Sequence, residues 1–113
     1  WANTVYYSMT PHPLTTEELD RAEKLLLESL NEAQRVMYRG AKKFLVQGGE
    51  TGEIYEINRG RARNIRVLDD QGKYKKTLCA HPVDQVPDFD TMLAQKLMLE
   101  NCEREFLRVA NVS

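Results

Sequence analysis

The sequence predicts an α+β fold in which a four-stranded antiparallel meander is packed by a long N-terminal helix and a C-terminal helix. Apolar residues recur with a helical period near both ends of the chain, and short strand-like segments separated by glycine-containing turns fill the middle. The 113 residues, 42% of them hydrophobic and 29% charged, match the size and composition of one globular domain. We therefore expect one α+β domain over residues 15–113, preceded by an arm over residues 1–14.

The predicted arm is extended because proline stands at both Pro11 and Pro13, where it disfavours a helix. The arm carries the aromatic pair Tyr6 and Tyr7. Aromatic side chains concentrate at the cores of protein interfaces, so both tyrosines are candidate partner-contact residues.

The first helix begins at Thr15, which forms a capping-box pattern with Glu18. An apolar stripe of period 3.6 follows and predicts one helix that ends near Gly40. The stripe consists of Leu19, Ala22, Leu26, Leu30, Ala33 and Met37.

Four strands are predicted next, at residues 44–46, 54–57, 63–68 and 74–79. The connections between them are short and contain glycine, which favours antiparallel pairing of successive strands. In the first connection, residues 48–52, the glycines suggest positions that tolerate a positive φ.

A second helix is predicted from about Thr91 to Val109, with Asp88 or Asp90 as its cap. It follows a loop that is bracketed by two prolines. The predicted apolar stripe is Leu93, Leu97, Cys102, Phe106 and Ala110.

The net charge of −1 conceals a basic middle between acidic ends, because residues 35–76 hold eleven Lys/Arg and five Asp/Glu. This pattern indicates either a binding face or the solvated side of a sheet. Arginine pairs with phosphates and tyrosine offers a stacking face, so a nucleic-acid or partner site is one hypothesis. Its candidate residues are Arg59, Arg61, Arg63, Arg66 and Lys73, with Tyr55 and Tyr74 near them.

Cys79 and His81 are two residues apart, so on an extended backbone both side chains point the same way and could share a metal ion. Zinc needs three or four ligands, and the chain offers no second ligand-spaced pair. A nucleophile and base pair would also need an orienting acid and an oxyanion site. We expect no enzymatic activity and no cofactor, with Cys79 and Cys102 as free thiols.

Residues 44–110 resemble a small domain encoded mainly in bacteriophage and prophage genomes. The resemblance is carried by five ordered segments: Gly49-Glu50-Thr51-Gly52, Tyr55-Glu56-Ile57, Asn64-Ile65 with Leu68-Asp69, Cys79-Ala80-His81-Pro82, and Asp90-Thr91-Met92-Leu93-Ala94-Gln95-Lys96. It implies a viral or mobile-element context and no known activity.

A fainter likeness is to SWIM-type zinc fingers, whose strands end in a Cys-x-His pair such as Cys79 and His81. Those domains also carry an upstream Cys-x-Cys pair, where this chain has Asn64 and Arg66. The likeness implies a zinc site that lacks half of its ligands.

No apolar run approaches the roughly 20 residues that a membrane-spanning helix needs. The first residues lack the basic and apolar regions of a signal peptide, so we expect the protein in the host cytoplasm or the virion. The expected function is macromolecular recognition by a phage-type accessory or structural protein. The expected partner is another protein, host or viral, or a second copy of the chain, with nucleic acid as the alternative and zinc binding as a second alternative.

Overall fold

The structure is a computed structural model that describes residues 15–60, 63–79 and 87–112. The predicted arm over residues 1–14 lies outside the described residues. The elements in chain order are α1 (Thr16–Ser29), α2 (Glu32–Ala41), β1 (Lys43–Gln47), β2 (Ile54–Asn58), β3 (Ile65–Leu68), β4 (Tyr74–Cys79), α3 (Asp88–Asn101), α4 (Glu103–Val109) and β5 (Asn111–Val112).

The strands form an antiparallel meander in the order β1-β2-β3-β4-β5. Inward-facing residues align across it, with Phe44 opposite Ile57 and Ile57 opposite Ile65. The predicted four strands are confirmed, and the short β5 extends the sheet by pairing with the end of β4. A register shift between Val67 and Leu68 marks a bulge where β3 meets β4.

The hydrophobic core lies between one face of this sheet and the helices. Helix α3 packs against β1 and β2, α1 packs against α3, and α2 lies beside β1. The predicted α+β class is therefore confirmed. The largest fully buried apolar side chains are Tyr38, Tyr55, Phe44, Phe106, Leu26, Ile57, Ile65, Leu78, Met92 and Leu99.

The predicted long N-terminal helix is two helices, because the chain turns at Leu30 and Asn31. Thr15 forms the predicted capping box with Glu18, through hydrogen bonds of 3.1 Å in both directions. Asn31 caps α2 in the same way: its Oδ1 accepts from the Gln34 amide at 2.9 Å, and its own amide donates to Gln34 Oε1 at 3.0 Å. Because of this break, the residues of α2 face the core with a different side from the one that the predicted stripe gives.

The side of α2 that faces the core carries Gln34 and Tyr38, whereas the predicted Ala33 is exposed and Met37 is half-buried. Gln34 Nε2 donates to the Leu45 carbonyl at 2.7 Å and so covers part of the open edge of β1. Arg35 closes the corner between the helices by donating to the carbonyls of Leu27 at 3.2 Å and Leu30 at 2.8 Å at the end of α1.

The C-terminal helix also differs from its prediction. It begins after Pro87, and no side chain caps it, so the predicted caps Asp88 and Asp90 are in its first turn instead. The helix is interrupted at Cys102, whose backbone angles are φ −148° and ψ 57°. Leu97, predicted on the buried stripe, is 47% exposed, because α3 turns the side that carries Met92 and Leu99 toward the core.

Glu103, the first residue of α4, is fully buried and carries a carboxylate into this core. Its Oε1 accepts hydrogen bonds from the amides of Glu50 at 3.0 Å and Thr51 at 2.8 Å. Its Oε2 accepts from the hydroxyls of Thr51 and Tyr55, each at 2.5 Å. One side chain thus joins the β1–β2 loop, the middle of β2 and the start of α4.

These hydrogen bonds decide the ionisation of the Glu103 carboxyl. Burial by itself raises its pKa, but the donors from Thr51, Tyr55 and Glu50 outweigh burial and lower the pKa below its ordinary value of 4.5. Conversely, burial and the bond to Glu103 raise the pKa of the Tyr55 hydroxyl.

The β1–β2 loop can approach the helices this closely because it begins with two glycines. A Cβ at Gly48 would overlap the Glu103 carboxylate, and one at Gly49 would overlap the backbone carbonyl of Glu100. The Gly49 amide also donates to the Leu99 carbonyl at 3.0 Å. These two glycines serve close approach, whereas Gly52, with φ +76°, serves the turn itself.

We predict that Glu103→Gln lowers the free energy of unfolding by about 2–3 kcal/mol, because the new amide cannot accept all four hydrogen bonds. Urea denaturation monitored by circular dichroism measures this loss. Glu105→Gln, an exposed change on the same helix that breaks only a surface ion pair with Arg108, is the matched control and should cost less than about 1 kcal/mol. Equal losses in the two variants would show that the buried carboxylate has no special role.

The stability difference between wild type and Glu103→Gln should depend on pH. A carboxyl whose folded pKa lies below its unfolded pKa stabilises the protein above the unfolded value, and this contribution disappears as pH falls through the folded pKa. Because the folded pKa lies below 4.5, the difference should stay constant near neutral pH and shrink below pH 4.5. Unfolding curves for both proteins across this range test the sign, and a difference that grows on acidification would contradict it.

We predict that Gly49→Ala destabilises the protein by about 2 kcal/mol or more, because the added methyl meets backbone that cannot rotate away. Gly40→Ala is the control, since open space surrounds that helical position, and it should stabilise by up to about 1 kcal/mol. Thermal and urea unfolding of both variants measures the contrast. Similar effects at both glycines would exclude the close-approach explanation.

Candidate recognition surfaces

The outer face of the sheet is the face turned away from the helical core. Strand alternation assigns to it Lys43, Leu45, Gln47, Ile54, Glu56, Asn58, Arg66, Leu68, Tyr74 and Thr77. The described helices all contribute their buried side chains to the core on the opposite side. Tyr74 and Leu45 on the outer face are 50% and 36% exposed.

A buried acid lies at the centre of this outer face. Glu56 is only 7% exposed, and its carboxylate lies 3.3 Å from Lys43 Nζ and 3.5 Å from an Arg66 guanidinium nitrogen. Asn58 Nδ2 donates to the same carboxylate at 3.1 Å. Glu56 thus holds cations from the two flanking strands and neutralises one of their two charges.

An apolar row crosses the face beside this ion cluster. Ile54 stands opposite Leu68, which stands opposite Tyr74. The Arg66 guanidinium lies 4.7 Å from the centre of the Tyr74 ring, and the Tyr74 hydroxyl is 2.9 Å from Thr77 Oγ1. These two contacts hold an exposed aromatic side chain in place.

A second surface lies at the end of the sheet where β1 begins, β2 ends and β3 begins. We call it the basic end and define it as Lys42, Lys43, Arg59 and Arg63. The Arg59 amide donates to the Lys42 carbonyl at 3.0 Å, and Arg63 precedes Asn64, whose carbonyl accepts from the Asn58 amide at 2.8 Å. Lys42 and Arg63 are exposed residues in the left-handed region, with φ +57° and +55°.

Two cations of the basic end lie over aromatic rings. Lys42 Nζ is 5.3 Å from the centre of Tyr38, and Arg59 Cζ is 5.2 Å from the centre of Phe89. Burial and the nearby Glu23 charge raise the pKa of Tyr38 to about 12, whereas the charge of Arg59 acts in the opposite direction. Burial also raises the pKa of Asp90, in the first turn of α3.

The opposite end of the sheet has mixed charge. Lys75 Nζ lies 2.7 Å from Glu53. Lys73 lies in the β3–β4 turn, where its amide donates to Asp69 Oδ1 at 2.8 Å, so an acid is beside it. The lysines near the start of β4 therefore have acidic neighbours, whereas two cations of the basic end lie over aromatic rings.

The structure separates the predicted site residues. Arg59 and Arg63 belong to the basic end, Arg66 to the outer face, and Lys73 to the mixed end. Tyr6, Tyr7, Arg61 and His81, by contrast, lie outside the described residues.

Two details of the prediction were wrong. Tyr55 is buried and donates to Glu103, so it offers no stacking face to a ligand. The third strand begins at Ile65 rather than at residue 63, because the Asn64 side chain turns inward, where its amide nitrogen donates to Gln95 Oε1 at 2.8 Å.

Cys79 is the last residue of β4 and is half-buried. Both cysteines are free thiols, and Cys102 lies at the α3–α4 break with Sγ 3.5 Å from Met98 Sδ. In the part of the chain that the structure describes, no three His, Cys, Asp or Glu side chains are grouped as a metal site would require. Because His81 lies outside this part, the hypothesis of a shared metal stays a prediction.

Sequence reasoning missed Lys42, Lys43, Leu45, Ile54 and Glu56 as members of these surfaces. A signal for some of them was present, since Glu56 lies between the inward-facing Tyr55 and Ile57 and must therefore point outward. Its two charged partners, Lys43 and Arg66, could be identified only from the strand register, which places β1 on one side of Glu56 and β3 on the other.

No protein-family model matches the chain, and no curated protein or solved structure matches it either. Of the helices in the described ranges, none has both the length and the apolar composition for crossing a bilayer.

We predict that Glu56→Gln lowers stability by about 1 kcal/mol, because it removes a largely buried charge that two cations and one amide share. Glu53→Gln, which breaks a more exposed pair with Lys75, is the control and should cost less. Urea unfolding at low and high salt compares the two variants. An equal or larger loss for Glu53→Gln would contradict a central role for Glu56.

Proposed function

We propose that this protein is a non-enzymatic recognition domain whose outer sheet face binds another protein. One observation carries the proposal: Ile54, Leu68 and Tyr74 form an apolar row beside an ion cluster, on the side of the sheet away from the helical core. The exposed Leu45 lies on the neighbouring strand of the same face. Stable interfaces combine an apolar, aromatic centre with a polar rim, and tyrosine and arginine are enriched at their energetic centres.

The side chains of this face are restrained before a partner binds, and this favours binding. Arg66 is fixed between Glu56 and the Tyr74 ring, so little side-chain entropy remains to be lost when a partner binds. The strands beneath are anchored through Tyr55 to Glu103, which keeps the backbone of β2 in place.

The charge of the face indicates the chemistry of the partner. Glu56 neutralises one of the two cations beside it, so the cluster has an excess of one positive charge among apolar side chains. This is a weak attraction for a phosphate backbone but suits a protein surface with apolar side chains and a carboxylate. We therefore favour a protein partner for this face.

The resemblance of residues 44–110 to a bacteriophage and prophage domain supports a viral setting for this contact. In that setting the protein is an accessory or structural component, and its partner is a host or viral protein in the host cytoplasm or the virion. The resemblance alone carries this part of the proposal.

The test removes the exposed apolar side chains of the face. We predict that Leu45→Ala with Tyr74→Ala weakens partner affinity about tenfold or more, since truncating interface anchors costs more than 1 kcal/mol each. Partners are captured from bacterial lysate with the wild type, identified by mass spectrometry, purified, and measured by titration calorimetry against each variant.

Leu25→Ala with Val36→Ala is the matched control, because these residues are 53% and 60% exposed on α1 and α2. It should bind like the wild type. Equal loss in both variants, or a partner whose affinity depends on neither, would overturn the assignment to this face. Self-association that the Tyr74 variant abolishes would replace the foreign partner with a second copy of the chain.

A further inference from the structure

We propose that the basic end binds the phosphate backbone of a single-stranded nucleic acid. This surface lies at the end of the sheet, whereas the proposed protein contact uses the apolar part of the outer face. The two proposals therefore succeed or fail separately.

The fold places the cations of the basic end side by side. Lys42 and Lys43 lie at the start of β1, Arg59 follows β2, and Arg63 lies just before β3. Adjacent strands are about 4.8 Å apart, so the backbone positions that carry these cations span roughly 10 Å across three neighbouring strand ends. Long side chains on such a row can reach successive phosphates of one strand.

Within residues 15–60, 63–79 and 87–112, three of these four charges have no carboxylate partner. Of the described carboxylates, none lies within 4.0 Å of a Lys42, Arg59 or Arg63 side-chain nitrogen, whereas Lys43 is paired with Glu56. Lys42 and Arg59 instead lie over the rings of Tyr38 and Phe89, which orient a cation without cancelling its charge. Cations in this setting can bind phosphate without first breaking an ion pair.

Hydrogen bonds from α3 and between the strand ends hold the backbone beside Arg59 and Arg63. Asn64 Nδ2 donates to the Asn58 carbonyl at 3.1 Å and to Gln95 Oε1 at 2.8 Å, and Gln95 Nε2 donates back to Asn64 Oδ1 at 3.1 Å. The ends of β2 and β3 are thus tied to α3. The backbone next to each arginine is therefore held before a ligand arrives, which lowers the entropic cost of binding.

The small size of the surface favours a single strand over a duplex. Three free cations neutralise few phosphates, and the acids Asp88 and Asp90 in the first turn of α3 add negative charge near Phe89. A rigid duplex carries one charge per about 1.7 Å and would bring further phosphates toward such acids. A single strand can bend away after contacting the row, and its bases can stack on exposed guanidinium planes.

The test uses the full chain and a fluorescent oligothymidylate, measured by anisotropy over a range of salt concentrations. Neutralising three phosphates predicts a slope of log affinity against log salt of roughly −2. Arg59→Gln with Arg63→Asn should reduce this slope by about 1.4, because two contacts are lost. Asparagine is used at position 63 because it tolerates the left-handed backbone there.

Lys73→Gln with Lys76→Gln is the matched control, since it removes the same charge from exposed residues at the mixed end. It should keep the wild-type slope, and circular dichroism should show that both double variants are folded. Equal loss in the two variants, or no binding at about 50 mM salt, would overturn the proposal. So would tighter binding to a duplex of the same length, or full competition by polyglutamate at equal charge, which would indicate an acidic protein ligand.

Discussion

The buried carboxylate of Glu103 is the interaction on which the other parts of this structure depend. An ionised group can be buried only if hydrogen bonds replace its hydration, and here four donors from the β1–β2 loop and β2 do so. Because the donors belong to β2 and the loop before it and the acceptor belongs to α4, the sheet and the C-terminal helices must meet in one arrangement. Gly48 and Gly49 are then required, since no larger side chain fits between loop and helix.

This constraint explains features that are otherwise unrelated. The helix break at Cys102 turns the chain so that Glu103 starts a new helix, and the Gly49 amide bonds to the Leu99 carbonyl just before that break. With the inner face of β2 fixed by Tyr55, the opposite side of the same strand presents Glu56 and Ile54 outward in a set register. The fixed arrangement of side chains on the outer face therefore depends partly on a hydrogen-bond cluster on the other side of the sheet.

The class of fold, the four meander strands and the start of α1 follow from periodicity and turn residues in the sequence. The first helix break does not follow from periodicity, because the apolar stripe continues from Leu30 to Ala33 although the chain turns between them. The Asn31-x-x-Gln34 capping pattern was the local signal for that break. Glu103 gave a similar signal, since a carboxylate between Leu99 and Phe106 lies on the stripe that must be buried. Its donors come from residues about fifty positions earlier, and no local pattern can identify them.

The same long-range geometry determined how much of the candidate site the sequence could predict. The basic middle of the chain was evident from composition, but an antiparallel meander reverses direction at every turn. It sends Arg59 and Arg63 to one end of the sheet and Lys73 to the other, where acids accompany it. Lys42, which sequence reasoning did not select, joins the arginines because its carbonyl pairs with the Arg59 amide. A basic stretch of the sequence thus becomes a cationic row at one end of the sheet and a partly neutralised ion cluster on its outer face. The two surfaces therefore differ in the ligands that they can attract.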